Sequence, residues 1–173
     1  MVTLRTFLFS ILAALTLLNG PAFADDVIAA RGAKLWYSSR TSKGVSDGEK
    51  KLIGKWAGKN EQVSWEMFRK DDGTYELVLH EVDGEKSWTD YLRGIWGIRP
   101  DGTYYFTDLE MAGADENFEA TAFEEKVVRL SDDEFVTVSD DDEGKPLQSI
   151  EKRVAKFEMD LWEKFGSAEA KSP

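Results

Sequence analysis

The stretch from Tyr91 to Leu109 constrains the fold more than any other part of the chain. Two aromatic-rich runs of alternating polarity flank the sequence Arg-Pro-Asp-Gly at 99–102. Proline suits the second position of a type I turn, and glycine can adopt the left-handed conformation that closes such a hairpin with a bulge. The same pattern stands at 72–75, where the chain again reads Asp-Gly-Thr-Tyr. Two similar hairpins in succession indicate a β-meander.

The hydrophobic pattern keeps a period of two from Leu52 to Val154, which is typical of strands. Turn signals divide this region into about eight predicted strands, at 52–57, 63–69, 75–82, 88–98, 104–111, 118–130, 135–139 and 147–154. Short connections between consecutive strands favour an up-and-down antiparallel topology. The sequence therefore predicts an all-β domain over residues 51–154, folded as a barrel of about eight strands.

The turn type also predicts the register of the two hairpins, because a three-residue loop fixes which residues lie opposite each other. The pairs expected on the inward face are Met67 with Leu77, Trp65 with Leu79, Ile98 with Tyr104, and Trp96 with Phe106. Val63 continues this face in the first hairpin. Asp108 and Glu110 keep the same parity, so both are expected to point inward at a wetter end of the barrel.

The first 24 residues have the pattern of a signal peptide. Arg5 precedes an apolar run at 7–18, and Ala-Phe-Ala at 22–24 is a typical cleavage site. A membrane-spanning helix needs roughly 20 apolar residues, and this run is shorter. We therefore expect export from a bacterium to the periplasm or the medium, with no membrane insertion after cleavage.

The segments on either side of the predicted barrel are expected to be short and partly helical. Residues 25–50 form an N-terminal extension, in which 25–37 has weak helical spacing and Ser46 with Glu49 has the spacing of a capping box. Residues 155–166 are predicted to form a C-terminal α-helix, because apolar residues recur there at helical spacing. Residues 167–173 are predicted to be a flexible tail.

Composition argues against several classes of function. Acidic residues outnumber basic ones by 33 to 22, and a net charge of −11 repels nucleic acid. The chain has no cysteine, and its one histidine, His80, is predicted to face outward. We find no metal-binding, cofactor-binding or catalytic constellation. Tyr104, Asp108 and Glu110 could serve an isomerase or dehydratase, but pairs of carboxylates on one face are expected by chance in so acidic a chain.

The sequence Gly-Lys-Trp at 54–56 begins the first predicted strand and follows a predicted helical turn. This pattern resembles the lipocalins and the wider calycin group, whose members often stack an arginine of the last strand on that tryptophan. Arg153 is placed for this role above Trp56, where a cation–π contact would close one end of the barrel. The two Asp-Gly-Thr-Tyr hairpins look like those of bacterial exported lipocalin-like domains of unassigned function. The resemblance covers about residues 50–154.

Two hypotheses for the function remain open. In the first, which the resemblance favours, a non-enzymatic exported protein binds a small hydrophobic or aromatic ligand inside the barrel. The side chains expected to line that site are Trp65, Met67, Leu79, Trp96, Tyr104 and Phe106. In the second, these side chains fill the barrel themselves, and the protein is an interaction or structural module. A cavity inside the barrel would distinguish the two.

Overall fold

A computed structural model describes residues 46–60, 62–112, 120–140 and 144–172. Its eight strands are β1 (Gly54–Lys59), β2 (Val63–Arg69), β3 (Thr74–Asp83), β4 (Lys86–Ile98), β5 (Thr103–Met111), β6 (Thr121–Leu130), β7 (Glu134–Asp140) and β8 (Pro146–Arg153). Every strand is antiparallel to its neighbours in sequence, and β1 pairs with β8 to close the barrel. The predicted all-β, up-and-down barrel is confirmed. The predicted signal peptide and the helix predicted at 25–37 lie outside the described residues.

The register of both hairpins is as predicted. Met67 lies opposite Leu77 and Trp65 opposite Leu79 in the first hairpin. In the second hairpin, Ile98 lies opposite Tyr104. Opposed residues share a face of the sheet, and the hydrophobic core contains these side chains, so the predicted inward face is the face that the barrel encloses.

A short helix, α1 (Asp47–Leu52), lies at one end of the barrel, which we call the closed end. The predicted capping box is present: the Ser46 hydroxyl accepts from the Glu49 backbone N–H at 3.2 Å, and the Glu49 carboxylate accepts from the Ser46 backbone N–H at 2.8 Å. Leu52 belongs to this helix and is fully buried in the core. The first strand therefore begins at Gly54 rather than at Leu52.

Trp56 and Arg153 join the helix to the barrel at the closed end. The Trp56 indole N–H donates to the Leu52 carbonyl at 2.8 Å, and the Arg153 guanidinium lies 4.4 Å from the Trp56 ring centre. Arg153 also donates to the backbone carbonyls of Ile53, at 2.8 Å, and of Lys51. The contact between Trp56 and Arg153 that was expected from the sequence is present in the structure.

The C-terminal helix predicted over residues 155–166 is present, but it is shorter than predicted. The C-terminal segment forms two short helices, α2 (Leu161–Phe165) and α3 (Ala168–Lys171), the second of them where a flexible tail was expected. The Glu66 carboxylate on the outer face of β2 accepts from the backbone N–H groups of Glu158, at 2.8 Å, and Met159, at 3.1 Å. These bonds hold the preceding residues against the barrel wall, and that conformation overrides the helical spacing of the sequence.

The C-terminal segment packs on the outside of the barrel, over β2, β3 and β4. Trp162 stacks on Phe157 with ring centres 4.1 Å apart and donates its indole N–H to Glu66 at 2.6 Å. Glu76 on β3 accepts from the backbone N–H of Ser167 at 2.8 Å, and Ala170 is buried. No helix in the described part of the chain is long and apolar enough to cross a membrane.

Candidate functional site in the barrel interior

The half of the interior next to the closed end is filled by its own side chains. Trp56 and Trp96 are fully buried there, and Tyr104 and Phe135 nearly so. Their rings meet edge to face, with centres 5.1 Å apart for Tyr104 and Phe135 and 6.4 Å apart for Trp56 and Phe135. This half is a packed hydrophobic core, as expected for the interior of a small barrel.

A buried ion pair crosses the middle of the barrel. Arg69 is fully buried and donates to both carboxylate oxygens of Glu151, at 2.7 and 3.0 Å. It also donates twice to the Tyr104 hydroxyl, at 3.0 and 2.8 Å, and the Trp65 indole N–H completes the set by donating to Glu151 at 3.0 Å. Burial alone would lower the pKa of Arg69, but Glu151 and Tyr104 hold this pKa above its ordinary value. The guanidinium therefore stays charged and donates four hydrogen bonds inside the barrel.

The opposite half of the interior is less enclosed. We call this the far end; it is the end where β1, β3, β5 and β7 finish. The inward-facing side chains of Trp65, Leu79, Phe106 and Phe123 are only half-buried there. Phe106 and Phe123 stack with ring centres 4.7 Å apart and planes 16° from parallel. Solvent therefore reaches aromatic and aliphatic surface inside the barrel from the far end.

The structure divides the six side chains predicted to line a ligand site into two groups. Met67, Trp96 and Tyr104 are at most 3% exposed and belong to the packed core. The other three, Trp65, Leu79 and Phe106, are the half-buried residues of the far half. The candidate site is therefore smaller than the predicted one and is confined to the far half.

A buried carboxylate, Asp108, lies beside this aromatic surface. It faces inward as predicted and accepts a hydrogen bond on Oδ1 from the Tyr75 hydroxyl. Gly94 lies opposite both residues, and a Cβ there would come within 2.7 Å of the Tyr75 hydroxyl oxygen. Burial raises the pKa of Asp108 to about 6, and the bond from Tyr75 opposes part of that shift.

The predicted inward orientation of Glu110 is wrong. The pairing of β4 with β5 shifts by one residue, so that Gly94 lies opposite Asp108 while Arg93 lies opposite Glu110. The extra residue, Leu109, is a β-bulge, and beyond it the faces of the strand are exchanged. Glu110 is exposed, so it cannot act with Asp108 as an acid–base pair inside the barrel.

Another interior carboxylate, Glu125, lies opposite Tyr104 on β6. It accepts a hydrogen bond from the Thr137 hydroxyl, and burial raises its pKa against the effect of that bond. Within the described ranges, no three His, Asp or Glu side chains are grouped so that they could hold a metal ion. His80 points outward and bonds the Thr89 hydroxyl at 2.7 Å.

Replacing Asp108 with asparagine is expected to stabilise the protein at about pH 8. The unfolded carboxyl group, with a pKa of 3.8, loses its proton at lower pH than the folded group, with a pKa of about 6. Stability from this group is therefore present below the unfolded pKa and is lost as the pH rises through the folded pKa. The shift corresponds to roughly 3 kcal/mol, and asparagine still offers Tyr75 an acceptor.

Urea denaturation of the natural protein and Asp108→Asn, at about pH 4 and about pH 8, measures this effect. We expect similar stabilities at the lower pH and a gain of about 1–3 kcal/mol for the variant at the higher pH. A variant that is less stable than the natural protein at both pH values would show that the Asp108 carboxylate stabilises the fold.

A groove of about 390 Å³ lies on the outer face of the barrel. Its lining residues are Ala57, Glu66, Val154, Ala155, Lys156 and Glu158. The register places Ala57 and Glu66 opposite each other on the outward face of β1 and β2. The groove is therefore separate from the interior surface at the far end.

Several interior polar residues were not predicted from the sequence, among them Arg69, Tyr75, Glu125 and Glu151. Arg69 lies two residues after Met67 on β2, so the two-residue period that placed Met67 inward also places Arg69 inward. The same parity puts Glu151 on the face of Phe135, its partner across β7 and β8. Applying the two-residue period to charged residues as well as to apolar ones would have placed Arg69 and Glu151 inside the barrel.

The fold and this interior define a class of protein: a closed eight-stranded antiparallel barrel whose interior is packed with side chains in one half and accessible to solvent in the other. No protein-family model matches the sequence, and no curated protein matches it either.

Proposed function

We propose that the protein is an exported, non-enzymatic, lipocalin-like binding protein that holds a small hydrophobic or aromatic molecule in the far half of its barrel. One observation carries the proposal: Trp65, Leu79 and Phe106 face the interior yet are only half-buried. Apolar surface inside a barrel that solvent reaches is surface that an apolar ligand can cover. The stacked rings of Phe106 and Phe123 offer a face to a planar ligand.

The rigid core beneath this surface supports the proposal. Arg69, Glu151 and Tyr104 fix one another by hydrogen bonds across the barrel and form the floor of the far half. A pre-organised floor reduces the entropy that is lost when a ligand binds. Export is supported by the pattern of residues 1–24, which is that of a cleaved signal peptide.

Binding of Nile red, an uncharged fluorescent dye, tests the proposed site with two matched variants. Leu79→Trp adds bulk on the inward face of β3, whereas His80→Trp adds the same side chain to the outward face one residue later. We expect the natural protein and His80→Trp to bind the dye alike, and Leu79→Trp to bind it at least about tenfold more weakly because the added ring occupies the site. Equal binding by all three proteins would place the dye outside the barrel.

Native mass spectrometry of protein purified from its own cell envelope is a second measurement of the same proposal. We expect a stoichiometric small molecule that organic solvent extracts, on a chain that begins at Asp25. A chain that carries no ligand and also fails to bind Nile red would contradict the binding function. A chain that still begins at Met1 would contradict cleavage of the predicted signal peptide.

The alternative, an interaction or structural module, has two observations in its favour. The closed half of the interior is filled, and the groove of about 390 Å³ lies outside the barrel, beside Glu66 and the C-terminal segment. A protein partner would then bind the outer face and not the interior. Leu79→Trp would leave such a partner's binding unchanged, so the same variant separates the two functions.

A further inference from the structure

Aromatic side chains make up much of the half-buried apolar surface inside the far half. Trp65, Trp88, Phe106 and Phe123 all contribute to it. Trp88 precedes the core residue Leu92 by four positions on β4, so it shares the inward face of that strand. The four rings come from β2, β4, β5 and β6 and therefore stand on different sides of one space. Flat walls of this kind favour a flat occupant.

Three rings on β5 and β6 form a stacked series that runs from the core into this space. The ring centres of Tyr104 and Phe106 lie 5.4 Å apart, with planes 31° from parallel, and those of Phe106 and Phe123 lie 4.7 Å apart, with planes 16° from parallel. Tyr104 is 2% exposed, whereas the other two rings are half-buried. Among the described rings, Phe123 contacts Phe106 and ends the series. A further ring placed on Phe123 would continue it.

The plane of Phe106 is fixed before any ligand binds. The Tyr75 ring meets Phe106 edge to face at 6.2 Å, and the Tyr75 hydroxyl donates to Asp108. Gly94 makes room for this arrangement, because a Cβ there would come within 2.8 Å of the Tyr75 ring. A stack whose orientation is already set loses little freedom when another ring is added to it.

The site is shallow, because the ion pair of Arg69 and Glu151 forms its floor. The Trp65 indole N–H donates to Glu151 at 3.0 Å, so the floor reaches the level of Trp65. On β2, which begins at Val63, one inward residue lies beyond Trp65, and that residue is Val63 itself. Two residues of a strand span about 7 Å. A wall of this height matches two or three fused rings and is too low for an extended acyl chain.

The polar groups of the floor are used by one another. Arg69 donates to Glu151 and to the Tyr104 hydroxyl, and the Trp65 indole donates to Glu151 as well. Breaking these bonds to bind a polar group of a ligand would leave a buried charge without its partner. Recognition at the floor therefore depends on shape and on contacts between rings.

We propose that the ligand of the barrel is a planar aromatic compound of two or three fused rings, which stacks on Phe123 and extends the series of Tyr104 and Phe106. The inference rests on the proposed function, because it names the chemical class of ligand for that same site. Flexible chains and puckered saturated rings cover apolar surface without the contact between ring faces, so they bind more weakly.

Three alcohols with the same number of carbon atoms test the inference: 2-naphthalenemethanol, its decahydro derivative and 1-undecanol. Each is titrated, below its solubility limit, into purified protein that holds Nile red, and the loss of dye fluorescence measures its affinity. The two saturated alcohols are the more hydrophobic, so burial of apolar surface alone would rank the naphthalene compound last. We expect the naphthalene compound to bind at least about fivefold more tightly than either saturated alcohol.

Two matched variants locate the contact. Phe123→Leu keeps apolar bulk and removes the last ring of the series, so it should weaken the naphthalene compound about fivefold and change the affinity for 1-undecanol by less than about twofold. Phe68→Leu makes the same change on the outward face of β2, where Phe68 packs against the C-terminal segment. This control should leave all three affinities unchanged.

The outcomes separate this inference from the proposed function. If Nile red binds but the three alcohols rank by hydrophobicity, or none of them displaces the dye, the inference is overturned and the binding function stands. If neither Nile red nor any alcohol binds to folded protein, both fail. An equal loss of affinity in Phe68→Leu and Phe123→Leu would place the compound outside the stacked series and overturn the inference. Should Phe123→Leu not fold, the ranking of the three alcohols on the natural chain decides the question alone.

Discussion

Arg69→Met is expected to lower the free energy of unfolding by about 3–5 kcal/mol. The change removes the partner of Glu151, which is 7% exposed and would be left as an unpaired charge in the middle of the barrel. It also removes both donors from the Tyr104 hydroxyl. Domains of this size are stable by only about 5–15 kcal/mol, so the loss should be visible as an early urea transition followed by circular dichroism.

The matched control is Arg99→Met. Arg99 pairs with Glu124 on the surface, where both side chains are well exposed, and such pairs contribute about 1 kcal/mol or less. Adding Glu151→Gln to Arg69→Met should recover part of the loss, because glutamine is neutral and still accepts from the Trp65 indole. Equal destabilisation by the two arginine substitutions would mean that the interior pair does not hold the barrel together.

The partners in this ion pair could not be read from the sequence, although the face of each residue could. Parity along β2 places Arg69 inward, and parity along β8 does the same for Glu151. Their contact depends on the closure of the barrel, which brings β8 against β1 and so within reach of β2. A two-residue period describes each strand and carries no information about which strands meet across the interior.

The hairpins were predictable because their causes are local. The turns at 70–73 and 99–102 each carry a glycine with positive φ, 86° at Gly73 and 84° at Gly102. This geometry sets the register of the flanking strands, which is why the pairing of Trp65 with Leu79 and of Ile98 with Tyr104 was correct. Turn chemistry and hydrophobic period agree in both hairpins.

The predictions that the structure corrects depend on contacts between residues that are distant in the sequence. The helix predicted over 155–166 begins only at Leu161, because Glu66 on β2 binds the backbone of Glu158 and Met159. Glu110 was predicted to face inward because no pattern in the sequence of β5 indicates the β-bulge at Leu109. The division of the six predicted ligand residues into a core group and an accessible group depends on which end of the barrel α1 covers.

Asp108 connects the stability of the fold to the proposed site. Its burial raises its pKa to about 6, so the carboxylate is ionised at neutral pH at a cost in folding free energy. Ionisable groups whose pKa is strongly shifted by burial are found most often where a protein binds or reacts. The expected stability gain of Asp108→Asn therefore reports on a carboxylate that lies beside the proposed site.

Trp56→Ala is expected to lower the free energy of unfolding by about 3–5 kcal/mol, the usual range when a fully buried tryptophan is truncated. The ring is completely buried against Phe135 and lies under the Arg153 guanidinium, and its N–H binds the Leu52 carbonyl of α1. Its removal leaves a cavity at the closed end and removes one of the hydrogen bonds that join the helix to the barrel. Urea denaturation followed by circular dichroism measures the loss.

Two further variants separate the contributions of Trp56. Trp56→Phe keeps most of the ring and loses the N–H donor, so it should cost about 1–2 kcal/mol. Trp88→Ala, at a half-buried position near the far end, should cost less than Trp56→Ala because less apolar surface is lost from the core. If Trp56→Ala and Trp88→Ala destabilise the protein equally, the closed end is not the rigid half of the barrel. The pre-organised floor of the proposed site, formed by Arg69, Glu151 and Tyr104, would then need another explanation, because we attribute its rigidity to the packing of the closed end.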